Sequence, residues 1–140
     1  MRRSIVVVAV AMALVLAGTA LAGGWATVKL SSSPKGMSAG QAWVVDITVL
    51  QHGLATQPLC CLEPTVTISR VVPVRSTSST VGSPSRTFRA KPTGRVGVYR
   101  ARVVFPSAGT WRYEVYDAFT TYGGARTHMF KPVKIARSGI

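Results

Sequence analysis

The sequence predicts an all-β fold: an immunoglobulin-like antiparallel β-sandwich of about seven strands, preceded by a signal-peptide helix. Three observations predict it. Past Ala22, apolar side chains recur at every second residue. The short runs that carry this alternation are separated by Gly, Pro and Ser clusters. No stretch after Ala22 holds the capped i, i+3, i+4, i+7 apolar spacing of a helix.

The first 22 residues are of another kind. Met1-Arg2-Arg3-Ser4 is a short basic start, Ile5 to Ala22 carries no charge, and Ala20-Leu21-Ala22 ends in small residues before Gly23. A basic n-region, an apolar h-region and an A-x-A site make residues 1–22 a cleavable export signal. The alternative is retention as an anchor, since 18 uncharged residues just suffice to span a bilayer. Either way the remaining domain, 23–140, is expected outside the cytoplasm, secreted or attached to the cell envelope. Its 118 residues form one domain, large enough for a core without staples.

Within that domain Trp25 to Leu30 is the first expected strand and Gln41 to Gln51 the strongest, with Trp43, Val45, Ile47 and Val49 on one face. Pro64 to Val72 sets Val66 and Ile68 against Thr65 and Thr67. Thr87 to Ala90, Val96 to Phe105, Thr110 to Asp117 and Thr127 to Ile135 complete the set. Ser76 to Ser85 (STSSTVGSPS) is polar and reads as a mobile loop, and Gly123-Gly124 as a hairpin turn. The fifth and sixth runs invite pairing as a hairpin through Pro106–Thr110. Phe105 would then face Trp111, Val103 face Tyr113 and Ala101 face Val115, with Arg102 opposite Glu114 and Arg100 opposite Tyr116 outside. In that register Asp117 points inward at a strand end, toward a hydrogen bond near Tyr99.

Charge bounds the partners. Without Arg2 and Arg3 the domain has fifteen basic residues against four acidic ones, a net charge of +11. Such a balance favours anionic polymers, so the expected partner is an anionic cell-surface polymer or else a protein that the sequence does not identify. The cations form no run and no aromatics interleave with them, so nucleic acid is not expected. A membrane partner is expected only through a retained signal segment. The two cysteines are adjacent, Cys60-Cys61, and neighbours cannot form an ordinary disulfide. The pair is buried as thiols, joined as a strained vicinal ring, or bonded to another molecule.

Five segments together resemble a known family. They are Gly24-Trp25-Ala26-Thr27-Val28, the run Ala42 to Gly53 (AWVVDITVLQHG), Leu62 to Thr67 (LEPTVT), Gly97-Val98-Tyr99-Arg100-Ala101 and Phe105 to Trp111 (FPSAGTW). In this order and spacing, over most of the domain, they resemble the YtkA-like domain, a small exported β-sandwich distantly similar to FixH-type proteins. The resemblance implies a non-enzymatic extracytoplasmic module. FixH-type relatives are associated with cytochrome oxidase assembly, and neighbouring families handle copper.

Two constellations carry candidate chemistry. Gly36-Met37-Ser38-Ala39-Gly40 matches the G-x-S-x-G nucleophile elbow, and Asp46 or Asp117 then His128 follow in hydrolase order. The elbow needs a strand-to-helix turn in a large α/β sheet, so a structural turn is expected and no catalytic residue is assigned. His52, Cys60, Cys61, His128 and Met129 are the ligand types that suit copper(I). Their spacing matches no compact metal motif. His52 equally serves as a strand-end cap before Gly53, and Met129 shares the parity of Val133 and Ile135, as a core residue would. No phosphate loop, dinucleotide fingerprint or zinc spacing occurs, so copper is the one cofactor considered. A non-catalytic binding or scaffold module is therefore expected, with copper handling or oxidase maturation as the alternative.

Overall fold

The computed structural model describes residues 25–58, 62–73, 84–120 and 124–139. The signal segment, Cys60, Cys61, Gly123 and all of the Ser76–Ser85 segment except Pro84 and Ser85 lie outside them. Every regular element described is a strand: β1 (Thr27–Leu30), β2 (Ala42–Gln51), β3 (Leu54–Ala55), β4 (Thr65–Arg70), β5 (Ser85–Arg89), β6 (Lys91–Pro92), β7 (Val98–Val104), β8 (Gly109–Tyr116), β9 (Thr127–Met129) and β10 (Val133–Ile135).

They form two antiparallel sheets. The first has the order β1-β2-β7-β6, with β3 also on β2; the second has the order β10-β8-β4-β5, with β9 also on β8. Apart from the short additions, this is the strand order of an immunoglobulin-like sandwich. The alternation read from the sequence builds the core. Trp43, Val45, Ile47 and Val49 of β2 are buried, as are Val66 and Ile68 of β4. Tyr99, Ala101 and Val103 of β7, with Phe105 just beyond it, meet Trp111, Tyr113 and Val115 of β8 between the sheets. Edge-to-face rings pack between the sheets toward one end: Trp43 on Tyr113 at 5.4 Å and Phe105 on Trp111 at 5.9 Å between centroids.

The expected β7–β8 hairpin does not form. β7 pairs with β2 and β6, whereas β8 pairs with β4, β9 and β10. Phe105 to Ala108 therefore arches from one sheet to the other. The inward and outward faces are those expected, but Phe105 and Trp111 meet across the layers rather than within one. In a single sheet the shared apolar face would still need a cover; on opposite sheets each face covers the other. The arch is pinned where the Trp111 Nε1–H donates to the Ser107 carbonyl at 2.9 Å and the Gly40 N–H to the Phe105 carbonyl at 2.9 Å. Arg102 consequently lies opposite Val44, not Glu114, and Arg100 opposite Asp46, not Tyr116.

The last expected strand is broken in two. β9 and β10 lie end to end along β8, separated by Phe130-Lys131-Pro132. The break changes parity: Phe130 stacks on Tyr113 at 5.2 Å, while Val133 and Ile135 are buried. Met129, expected in the core, is instead 74% exposed.

Two glycines do different work. His52 and Gly53 join β2 to β3 with φ of 52° and 79°, the pair of left-handed residues that a two-residue type I′ turn requires. Gly97 stands where β3 and β7 abut along the same side of β2. A Cβ there would come within 2.6 Å of the Thr56 amide nitrogen and 2.8 Å of its carbonyl oxygen. Gly53→Ala, with open space around it, should cost about 1 kcal/mol for its backbone conformation alone. Gly97→Ala adds a backbone collision and should cost about 3 kcal/mol. Urea unfolding checks the ranking; equal losses would refute the abutment.

Candidate functional site

The outward face of the first sheet carries the main constellation. Asp46 on β2 and Arg100 on β7 are directly opposed in register. The neighbouring ladder bond from the Val49 N–H to the Gly97 carbonyl at 2.8 Å makes Asp46–Arg100 one of the close, non-hydrogen-bonded pairs whose side chains stand nearest. Arg100 grips the carboxylate with two bonds, Nε to Oδ1 at 2.7 Å and Nη2 to Oδ2 at 3.1 Å. Arg95, in the turn before β7, adds Nη2 to Oδ2 at 3.4 Å. The Arg100 hydrogen bond holds the Asp46 carboxyl below its ordinary value of 3.8, against a smaller opposing effect of burial.

Beside this pair lies a groove of about 1040 Å³ on the flank of the sandwich, where β5, β6 and β7 meet. Five of its ten lining residues are cationic, Arg89, Lys91, Arg95, Arg100 and Arg102, and none is acidic. Asp46 engages two of them, and Glu63 reaches Arg89 only at 4.0 Å. Lys91 and Arg102 have no ion-pair partner among the described residues. Val44, Phe88 and Pro92 give the groove an apolar component. Concentrated positive charge with little internal compensation is what an anionic ligand requires.

A second constellation lies at one end of the sandwich. Asp117, fully buried, follows β8. Its Oδ1 accepts from the amides of Phe119 at 2.9 Å and Arg126 at 3.1 Å, and its Oδ2 faces His128 Nε2 at 2.8 Å. Arg126 lays its guanidinium 3.6 Å above the centre of the Trp25 ring. The expected inward position of Asp117 is correct, but its partners are the closing loop and His128 rather than Tyr99. The Tyr99 hydroxyl is buried with no partner among the described residues. Burial, then the nearby Glu63 charge, pushes its pKa up.

The elbow-like segment is a turn. The Ala39 N–H donates to the Ala136 carbonyl at 2.9 Å and the Ala136 N–H to the Met37 carbonyl at 3.0 Å, clasping the turn to the chain beyond β10. Ser38 thus sits at the Gly109 end of β8, since Ile135 pairs with Gly109. Asp117 and His128 sit at the other end, roughly 24 Å away at ~3.4 Å per residue. Serine, histidine and aspartate cannot act together over that span.

The five copper-type residues are only partly described. His52 is exposed in the β2–β3 turn, and His128 is occupied by Asp117. Met129 is the next residue along β9, so its side chain points to the opposite face from that of His128. Among the described residues no group of three His, Cys, Asp or Glu side chains gathers to hold a metal ion. The topology does bring His52, the ends of the segment containing Cys60-Cys61, and His128 to the same end of the sandwich. The groove, by contrast, was missed in the sequence. Its only trace there is the period-2 spacing of Arg89 with Lys91 and Arg100 with Arg102.

No family model matches the chain, and no curated protein matches it.

The Asp46 pair makes a pH prediction. Its carboxyl is lowered in the fold, so the stabilisation is complete above the unfolded value of 3.8 and lost as pH falls through the lower folded value. Between about pH 5 and about pH 2 the urea midpoint of the wild type should fall further than that of Asp46→Asn. Parallel curves for the two proteins would refute this role.

Proposed function

We propose that the chain is an exported, extracytoplasmic, non-catalytic binding module of the YtkA-like kind that holds an anionic ligand in its basic groove. One observation carries the reading. Five cations converge on one flank of a domain with only four acids; Asp46 holds Arg100 and Arg95 in place, and Glu63 reaches Arg89 only at 4.0 Å. Arg100 is thereby preorganised, so little side-chain entropy remains to be lost on binding. Arg102 and Lys91 are left to meet the ligand.

A labelled polyphosphate supplies a generic test by fluorescence anisotropy. Binding should weaken steeply as salt rises from about 0.05 M to about 0.5 M. Arg102→Glu should weaken it about tenfold, because a like charge then faces the ligand. Lys134→Glu, the same charge change on β10, should leave it within about twofold. Equal losses in both variants would show diffuse attraction to net charge and overturn the groove.

Copper handling is kept as a second reading because His52, His128 and the ends of the Cys60-Cys61 segment share one end of the sandwich. Copper(I) prefers thiolate, thioether and imidazole ligands. Anaerobic copper(I) titration should show binding tighter than about 1 µM that is lost when Cys60 and Cys61 are both replaced by Ser. Wild-type binding no tighter than that would overturn it.

A further inference from the structure

One wall of the basic groove is the free edge of a β-sheet. β5 is bonded to β4 on one side, and among the described residues no strand lies on its other side. The hydrogen-bond phase of that ladder is fixed at both ends: the Ala90 N–H donates to the Pro64 carbonyl at 2.9 Å, and the Arg70 N–H to the Pro84 carbonyl at 3.4 Å. Counting by twos between them, Arg86 and Phe88 exchange their backbone bonds with β4. The N–H and C=O groups of Ser85, Thr87 and Arg89 therefore point away from the sheet. The Thr67 and Thr87 hydroxyls, 2.9 Å apart, agree with this phase, because side chains stand closest at the pairs that do not exchange backbone bonds.

Thr87 and Arg89 also line the groove, together with Lys91, Arg100 and Arg102. The same flank thus offers strand-spaced backbone donors and acceptors beside a row of cations. A sugar or phosphate polymer can answer the charge but has no amide ladder with which to answer the edge. Another copy of this chain would bring its own Arg86 and Arg89 to the edge, and like charges disfavour that pairing. An acidic segment is complementary on both counts.

We propose that the groove's ligand is an extended acidic polypeptide segment that adds to β5 as a further strand. This rests on the anion-binding reading and narrows it. Backbone bonds to Ser85, Thr87 and Arg89 set the register, and alternate acidic side chains meet the cations. Val44 and Pro92 add apolar surface beside those cations.

The test uses two probes, an acetylated peptide of four Glu-Val repeats and labelled polyphosphate, and two variants. Proline is tolerated at an edge position whose N–H faces outward, so Thr87→Pro removes one outward donor while sparing the β4 ladder. Thr87→Val keeps the donor and removes the Thr67 hydroxyl contact. Thr87→Pro should weaken the peptide at least about tenfold and polyphosphate by less than about twofold, with Thr87→Val close to wild type for both. Backbone N-methylation of alternate peptide residues should abolish peptide binding. If polyphosphate binds but the peptide does not, or Thr87→Pro binds the peptide like wild type, the strand-addition proposal is overturned and the anionic groove stands. If neither probe binds the wild type, the groove reading falls as well.

Discussion

The inward faces of β7 and β8 carry much of the domain's buried aromatic surface, and they lie on opposite sheets that close over each other. Tyr99, Val103 and Phe105 on one side meet Trp111, Tyr113 and Val115 on the other. This is possible only because the chain from Phe105 to Ala108 arches between sheets instead of turning within one. The hydrophobic effect is indifferent to which strands are sequential; it rewards covering both apolar faces. Every other placement follows from that arch. β7 takes its in-plane partners from β2 and β6, and β8 takes its from β4, β9 and β10.

That partition also sorts the charges. With β7 beside β2, Arg100 stands opposite Asp46 and Arg102 opposite Val44. With β6 on its other side, Lys91 stands opposite Arg100. Glu114, carried on β8, goes to the other sheet, where Thr67 and Met129 are its cross-strand neighbours. The domain has too few acids to neutralise its surface, and Asp46 fixes Arg100 rather than silencing the cluster. Asp46 restrains the groove's geometry and leaves most of its charge unanswered. Burial is modest there, so the electrostatic field reaches solvent and is open to screening by salt.

The opposite use of a carboxylate appears at the end of the sandwich. Asp117 is enclosed, and its oxygens are consumed by two backbone amides and His128. A buried carboxylate without such partners would be costly. Here it organises the return from β8 to β9, with Ala118 held at a φ of 56° and Arg126 laid over Trp25. An aspartate and a histidine at hydrogen-bond distance resemble part of a catalytic set. The length of β8 separates them from the one serine that a sequence motif offers.

The sequence by itself determined that the domain is all β, which residues face inward on β2, β4, β7 and β8, and where most strands lie. Those properties are local: side chains alternate along any extended chain, and a two-residue period can be read without knowing a strand's neighbours. It could not place Met129, because Phe130-Lys131-Pro132 breaks the strand and resets the alternation, and a proline three residues on does not say by how much. Only the tertiary structure decided strand partnership. It replaced the expected β7–β8 hairpin with an arch, gave Arg100 to Asp46 instead of Tyr116, and gathered Arg89, Lys91, Arg95, Arg100 and Arg102 into one groove. Pairing is set by which buried faces close over each other, a condition on the whole chain at once. Charges scattered along the sequence become a site only after that condition has been met.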